Sequence, residues 1–163
     1  MTEKPNVVLS IYPNAYGLGY ICLSWPKNII DFGLATTRPL CNRKLFKRFM
    51  KFIQFYKPEI VLLRESDNLL QSAKRSHRLI RKMAEHAEQM KLPVFRYSRQ
   101  QVRDVFDNFN SHTKYEIALT IAEGYPELKN RMPKLRGKWR AEDPHMAIFD
   151  AMALTIAHKY LAE

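Results

Sequence analysis

Three strand patterns, Val7–Tyr12, Tyr20–Trp25 and Ile29–Ala35, follow one another at the start of the chain with only turn-forming residues between them. Pro13, Asn14, Gly17 and Gly19 supply the first turn, and Pro26-Lys27-Asn28 the second. A parallel crossover needs roughly a dozen residues or more, so connections this short favour antiparallel pairing. The chain opens as a three-stranded meander.

The hydrophobic period then changes. Asn42 is placed to cap a helix that runs to about Tyr56, ahead of Pro58. Leu45, Phe46, Phe49, Phe52, Ile53 and Tyr56 share one face of that helix, whereas Arg43, Lys44, Lys47, Arg48 and Lys51 occupy the other. Ile60–Leu63 reads as a short buried strand ending at Arg64-Glu65, followed by a helix over about 69–91 and a fifth strand over Val94–Tyr97. Ser98 with Gln101, and Thr113 with Glu116, match capping boxes, so a helix is expected at each. Residues 128–140 are polar and basic, contain Pro133 and Gly137, and read as a loop. Asp143-Pro144 reads as an N-cap and first-turn proline opening a last helix to about Tyr160. Strand–helix alternation after an antiparallel start implies one α/β domain over 1–163: a five-stranded mixed sheet with helices on both faces.

With 163 residues and 46% hydrophobic content, the chain can bury a real core and is not disordered. Apolar runs such as Val61-Leu62-Leu63 fall far short of the roughly 20 residues a membrane helix needs, and no signal-peptide pattern precedes Val7. A soluble, cytoplasmic protein is expected, and Cys22 and Cys41 alone suit a reducing compartment. Lys and Arg total 27 against 16 Asp and Glu, a net charge of +11. Such a balance favours a polyanionic partner, nucleic acid above all; a basic surface that only maintains solubility is the plainer alternative.

Among the few acids, Glu65 ends the fourth strand pattern, and ligands of α/β sheets collect outside the carboxyl ends of strands. Asp150 interrupts the apolar helical run Met146–Leu154, where a lone carboxylate needs a partner or a metal. Asp143 lies seven residues earlier, about two turns. Carboxylates converging from a strand end and a helix offer the hard oxygen ligands that Mg²⁺ or Mn²⁺ requires.

The layout, with Leu9-Ser10-Ile11-Tyr12-Pro13-Asn14, Val61-Leu62-Leu63-Arg64-Glu65 and Phe149-Asp150-Ala151-Met152-Ala153-Leu154, resembles the RuvC-type Holliday-junction resolvases of the RNase H-like nuclease superfamily. Lys114 opening its helix and Tyr125-Pro126-Glu127-Leu128 add to the likeness, which extends from Val7 to about His158. The resemblance implies an RNase H-like fold and phosphodiester hydrolysis with two divalent ions, Mg²⁺ or Mn²⁺. It implies that Glu65 and Asp150 are metal ligands, that the partner is DNA rather than RNA, branched in form, and that the chain acts as a homodimer.

The sequence departs from the family pattern at two ligand positions. Where resolvases have Ile-Asp-Pro-Gly, this chain has Ile11-Tyr12-Pro13-Asn14, and a neutral phenol replaces a carboxylate poorly as a metal ligand. Ala147 stands three residues before Asp150, where the helix carries a further acid or histidine. Asp143 and His145 are the nearest replacements, although His145 lies about 140° around the helix from Asp150. Asp143 as a plain N-cap and His145 as a solvated first-turn residue are the simpler readings. Tyr12 either packs into the vacated place or stacks on a nucleotide; spacing gives Asp31 and Asp67 no positive case as substitutes.

The segment 128–141 carries Lys129, Arg131, Lys134, Arg136, Lys138 and Arg140 around Trp139, with no acid before Glu142. Such cations, with Lys114 beside them as a nucleic-acid contact, neutralise phosphates, and Trp139 can stack on an exposed base. Two readings follow: a resolvase-type, metal-dependent endonuclease with a compromised site, or a catalytically inactive nucleic-acid-binding or scaffold protein of the same fold.

Overall fold

The computed structural model describes residues 6–65, 74–135 and 142–162. Its five strands are β1 (Val7–Pro13), β2 (Leu18–Ser24), β3 (Asn28–Ala35), β4 (Ile60–Arg64) and β5 (Val94–Tyr97), and the helices are α1 (Asn42–Tyr56), α2 (Lys74–Gln89), α3 (Arg99–Asp107), α4 (Lys114–Gly124) and α5 (Met146–Leu161). The sheet order is β3-β2-β1-β4-β5. The first three strands pair antiparallel, while β4 and β5 run parallel to β1. The expected mixed sheet is therefore present, and three strands, β1, β4 and β5, present their carboxyl ends at one edge.

Side-chain alternation assigns the two faces. Leu9, Ile11, Val61 and Leu63 pack with Leu45 and Phe49 of α1 and Leu79 and Met83 of α2. On the opposite face, Ile21 and Leu23 meet Phe149 and Met152 of α5, and Val8 and Leu62 meet Leu154. Helix α5 lies so close that its backbone touches the sheet. A Cβ on Gly19 would stand 2.2 Å from the Ala147 backbone, and the buried Ser10 hydroxyl donates to the Ala151 carbonyl at 2.6 Å. Among the described residues, no helix is long and apolar enough to cross a membrane.

Several ends differ from expectation for local reasons. Cys41, not Asn42, stands at the α1 N-cap, because the Asn42 amide is engaged across α2: it donates to the Arg75 carbonyl and accepts from the Arg75 guanidinium. Ser98 and Gln101 form the full reciprocal box, whereas Thr113 only accepts from the Glu116 N–H. The described part of the 69–91 helix is α2. The segment expected as a loop from residue 128 begins inside a 3-10 helix, Pro126–Arg131, which Pro126 starts at its preset φ. Helix α5 begins at Met146, later than expected, because a tight turn closed by Met146 N–H to the Asp143 carbonyl intervenes.

Gly19→Ala tests the helix–sheet contact. Backbone cannot yield as a flexible side chain would, so the added methyl should lower stability by about 2–3 kcal/mol, measured as a shift in urea midpoint. An unchanged midpoint would refute the contact.

Candidate functional site

A cavity of about 710 Å³ opens at the carboxyl ends of β1, β4 and β5, bounded by the first turns of α3 and α4 and by α5. Tyr12 from β1, Arg64 and Glu65 from the end of β4, and Asp150 from α5 all line it. Parallel pairing sets this convergence. The α5 face of β1 carries Ser10 and then Tyr12, while Leu62 and then Arg64 stand beside them on β4. The Glu65 N–H donates to the Tyr97 carbonyl at 2.8 Å, which holds Glu65 at the mouth.

Lys114 occupies the middle. As the first residue of α4, it points its ammonium to Glu142 Oε1 at 2.9 Å and Asp150 Oδ2 at 3.3 Å, with 27% of its side chain exposed against 14% for Asp150. The Tyr12 ring lies near two cations, 5.2 Å from the Arg64 guanidinium and 5.6 Å from the Lys114 ammonium. The half-buried ring packs against the core on the α5 side and also lines the cavity.

Protonation follows from burial and neighbours. Burial pushes the Asp150 carboxyl up to about 6, although Lys114 pulls it down. Burial works against the Lys114 ammonium, yet Asp150, Tyr12 and Glu142 together hold it above the usual lysine value. Burial and then Asp150 push the Tyr12 phenol above 10.0, so it is neutral at physiological pH.

The sequence-predicted residues divide. Glu65, Asp150 and Lys114 come together in the cavity. Asp143 and His145 are not among its lining residues. Asp143 Oδ1 accepts from the His145 N–H at 2.9 Å, and its Oδ2 from the Lys134 N–H at 3.3 Å, so the carboxylate organises the entry to α5. Lys129, Arg131 and Lys134 are exposed outside the cavity; Arg136, Lys138, Trp139 and Arg140 lie outside the described residues, as does Asp67. Asp31 is on the α1 side, accepting a short hydrogen bond from the Tyr56 hydroxyl.

Sequence reasoning missed Glu142, Arg99 and Arg103 as lining residues. The two arginines are four residues apart on α3, which begins directly after the carboxyl end of β5, so strand-end position plus helical spacing was the available signal. Asn14, where resolvases have glycine, braces the first turn: its side chain reaches the Pro144 carbonyl, and its own carbonyl accepts from Arg75 at 2.7 Å.

The donor set does not fit a two-metal centre. Among the described residues, no group of three or more His, Cys, Asp or Glu stands close enough to hold an ion. Of the three described carboxylates that line the cavity, two already share one ammonium. Ala147, fully buried beside Gly19, supplies no further acid from the helix.

Comparison with known proteins agrees with this architecture. No family model matches the chain, and no curated protein matches it in sequence. Solved structures do. Thermus thermophilus RuvC in complex with a Holliday junction substrate superposes with a TM-score of 0.67 at 19% identity, covering 96% of this chain and 94% of that one. The yeast mitochondrial Holliday junction resolvase gives 0.62 at 10% identity, over 96% and 79%. This is the RuvC-type resolvase fold. Within it, the chain places a neutral tyrosine and an ion-paired lysine at the strand-end cavity.

Lys114 and Asp150 should reveal themselves through pH. The folded Asp150 value lies above the ordinary 3.8, so its ionisation weakens the fold as pH rises from about 4 to about 6, a slope that Asp150→Asn should remove. Lys114→Ala should cost about 2 kcal/mol at pH 8, where Asp150 is charged, and distinctly less at pH 5. Urea midpoints at both pH values check this; equal losses would show that the ion pair is not the source.

Proposed function

We propose that the chain binds branched DNA across the strand-end cavity and that phosphodiester cleavage there is compromised. The carrying observation is the cavity's charge: Lys114 is held by Glu142 and Asp150, while Arg64, Arg99 and Arg103 line the same space. Fixed cations bind a polyphosphate backbone by neutralising phosphates and releasing counterions. The shared fold supports a four-way junction as the form of DNA, with two copies of the chain per junction. Lys129, Arg131 and Lys134 extend the basic surface, and in this reading Arg136, Lys138 and Arg140 continue it while Trp139 stacks on an exposed base.

One observation favours a second reading, cutting with Mg²⁺ or Mn²⁺: Glu65, Glu142 and Asp150 line a single cavity. Glu65 and Asp150 would then be the ligands.

A labelled four-way junction, with linear duplex as control, separates the two when binding and cleavage are followed in EDTA, Mg²⁺ and Mn²⁺ at two salt concentrations. The expected result is salt-sensitive binding that prefers the junction, without metal-dependent cutting. Arg99→Ala with Arg103→Ala should reduce the slope of log affinity against log salt by about 2, one phosphate contact each. Metal-dependent cutting abolished by Glu65→Ala with Asp150→Ala would establish the second reading. Failure to bind either DNA would leave a scaffold whose charge serves solubility.

A further inference from the structure

Carboxylates gathered at one point repel one another, and a cation must be supplied or the acids take up protons. In this cavity the cation belongs to the chain. Lys114 reaches both Glu142 and Asp150 from the first turn of α4, a fixed element whose Thr113 caps the Glu116 N–H. We infer that Lys114 is a tethered counter-ion standing where a divalent cation would have to sit, so that the cleft has no divalent-ion site and takes its phosphodiester ligand without metal.

Three observations besides the ion pair point the same way. First, among the described residues, the cations lining the cavity, Arg64, Arg75, Arg99, Arg103 and Lys114, outnumber the three carboxylates, Glu65, Glu142 and Asp150. Five against three gives +2 before any ligand arrives, so a divalent ion would enter a field that already repels it, whereas a phosphodiester would be drawn in. Second, the β1 position that should contribute a carboxylate contributes Tyr12, whose neutral phenol supplies no negative charge. Third, the side chain one turn before Asp150 is a methyl group pressed against Gly19, so α5 has no second oxygen ligand to add there. Arg75 is already engaged with the Asn14 carbonyl and the Asn42 amide. Arg64, Arg99 and Arg103 have no carboxylate within salt-bridge distance among the described residues, which leaves them available to an anion.

The phosphodiester half of this inference rests on the DNA-binding reading above; the cation half does not. The test therefore has two arms. In the first, Mn²⁺ is titrated into the full chain without DNA and followed by electron paramagnetic resonance, for wild type, D150N, K114M and K114M/D150N. Wild type should bind no more Mn²⁺ than D150N. K114M removes the ammonium while keeping a side chain of similar length, and the freed Glu142 and Asp150 should then bind Mn²⁺ weakly, yet at least about tenfold more tightly than wild type, a gain lost again in K114M/D150N. If K114M does not fold by circular dichroism, K114Q, which keeps an amide donor toward Glu142 and Asp150, gives the same readout.

In the second arm, junction affinity of wild type is measured in EDTA and in Mg²⁺ at matched ionic strength. Equal affinities are expected. A Mn²⁺ ion bound by wild type and lost in D150N would overturn the inference, as would a Lys114 variant that gains no site. Affinity that requires Mg²⁺ would overturn its phosphodiester half. No junction binding in either buffer would defeat the DNA-binding reading while the Mn²⁺ arm still decided the role of Lys114.

Discussion

Helix α5 can lie directly on the sheet because Gly19 has no Cβ and Ala147 has little more. With the Ser10 hydroxyl bonded to the Ala151 carbonyl, that contact fixes both the height and the rotation of α5 over β1 and β2. The position of Asp150 follows, since it lies one turn beyond Ala147. Ala147 itself is fully buried, and closely packed interiors accommodate added volume poorly. What looks in the sequence like a lost ligand is, in the fold, part of the packing that holds Asp150 in place.

The charges around Asp150 follow from that placement. A carboxylate this deeply buried needs compensation. The first turn of α4 supplies it through Lys114, and Glu142, on the approach to α5, closes the other side of the ammonium. Tyr12 completes the arrangement. Its ring stands within cation–π distance of both Lys114 and Arg64. An aspartate at position 12 would add a negative charge that Lys114 and Arg64 could satisfy, but it could not fill the volume of the ring. The tyrosine and the lysine are therefore best understood together, as packing and neutralisation of one cavity.

The strands and most helix starts were legible because their causes are local: turn residues between β1, β2 and β3, apolar runs at β4 and β5, and the Ser98–Gln101 box. Glu65 and Asp150 were legible for a related reason. A carboxylate at a strand end and another in an apolar helix are conspicuous without knowing what they meet. The failures have tertiary causes. Asn42 reads as a cap but answers to Arg75, thirty-three residues away. Lys114 reads as one more cation for DNA, and only the fold shows two carboxylates sharing it. Arg99 and Arg103 look like any solvated pair until β5 brings their helix to the cavity mouth. Asp143 was drawn toward the site by its spacing from Asp150, but its oxygens instead accept the backbone N–H groups of His145 and Lys134.

A nuclease whose acids are neutralised by divalent ions couples its grip on DNA to its chemistry, because the same ions contact the phosphate and activate water. Replacing them with side-chain cations separates the two functions. Arginine and lysine charges neutralise phosphate at any metal concentration, but above neutral pH they still hold their protons and generate no hydroxide nucleophile. A resolvase fold altered in this way would hold a junction without committing it to cleavage. Electrostatics then allow such a separation with few residues: a phenol on β1, a methyl group on α5, and the ammonium of Lys114 shared by the acids beside it.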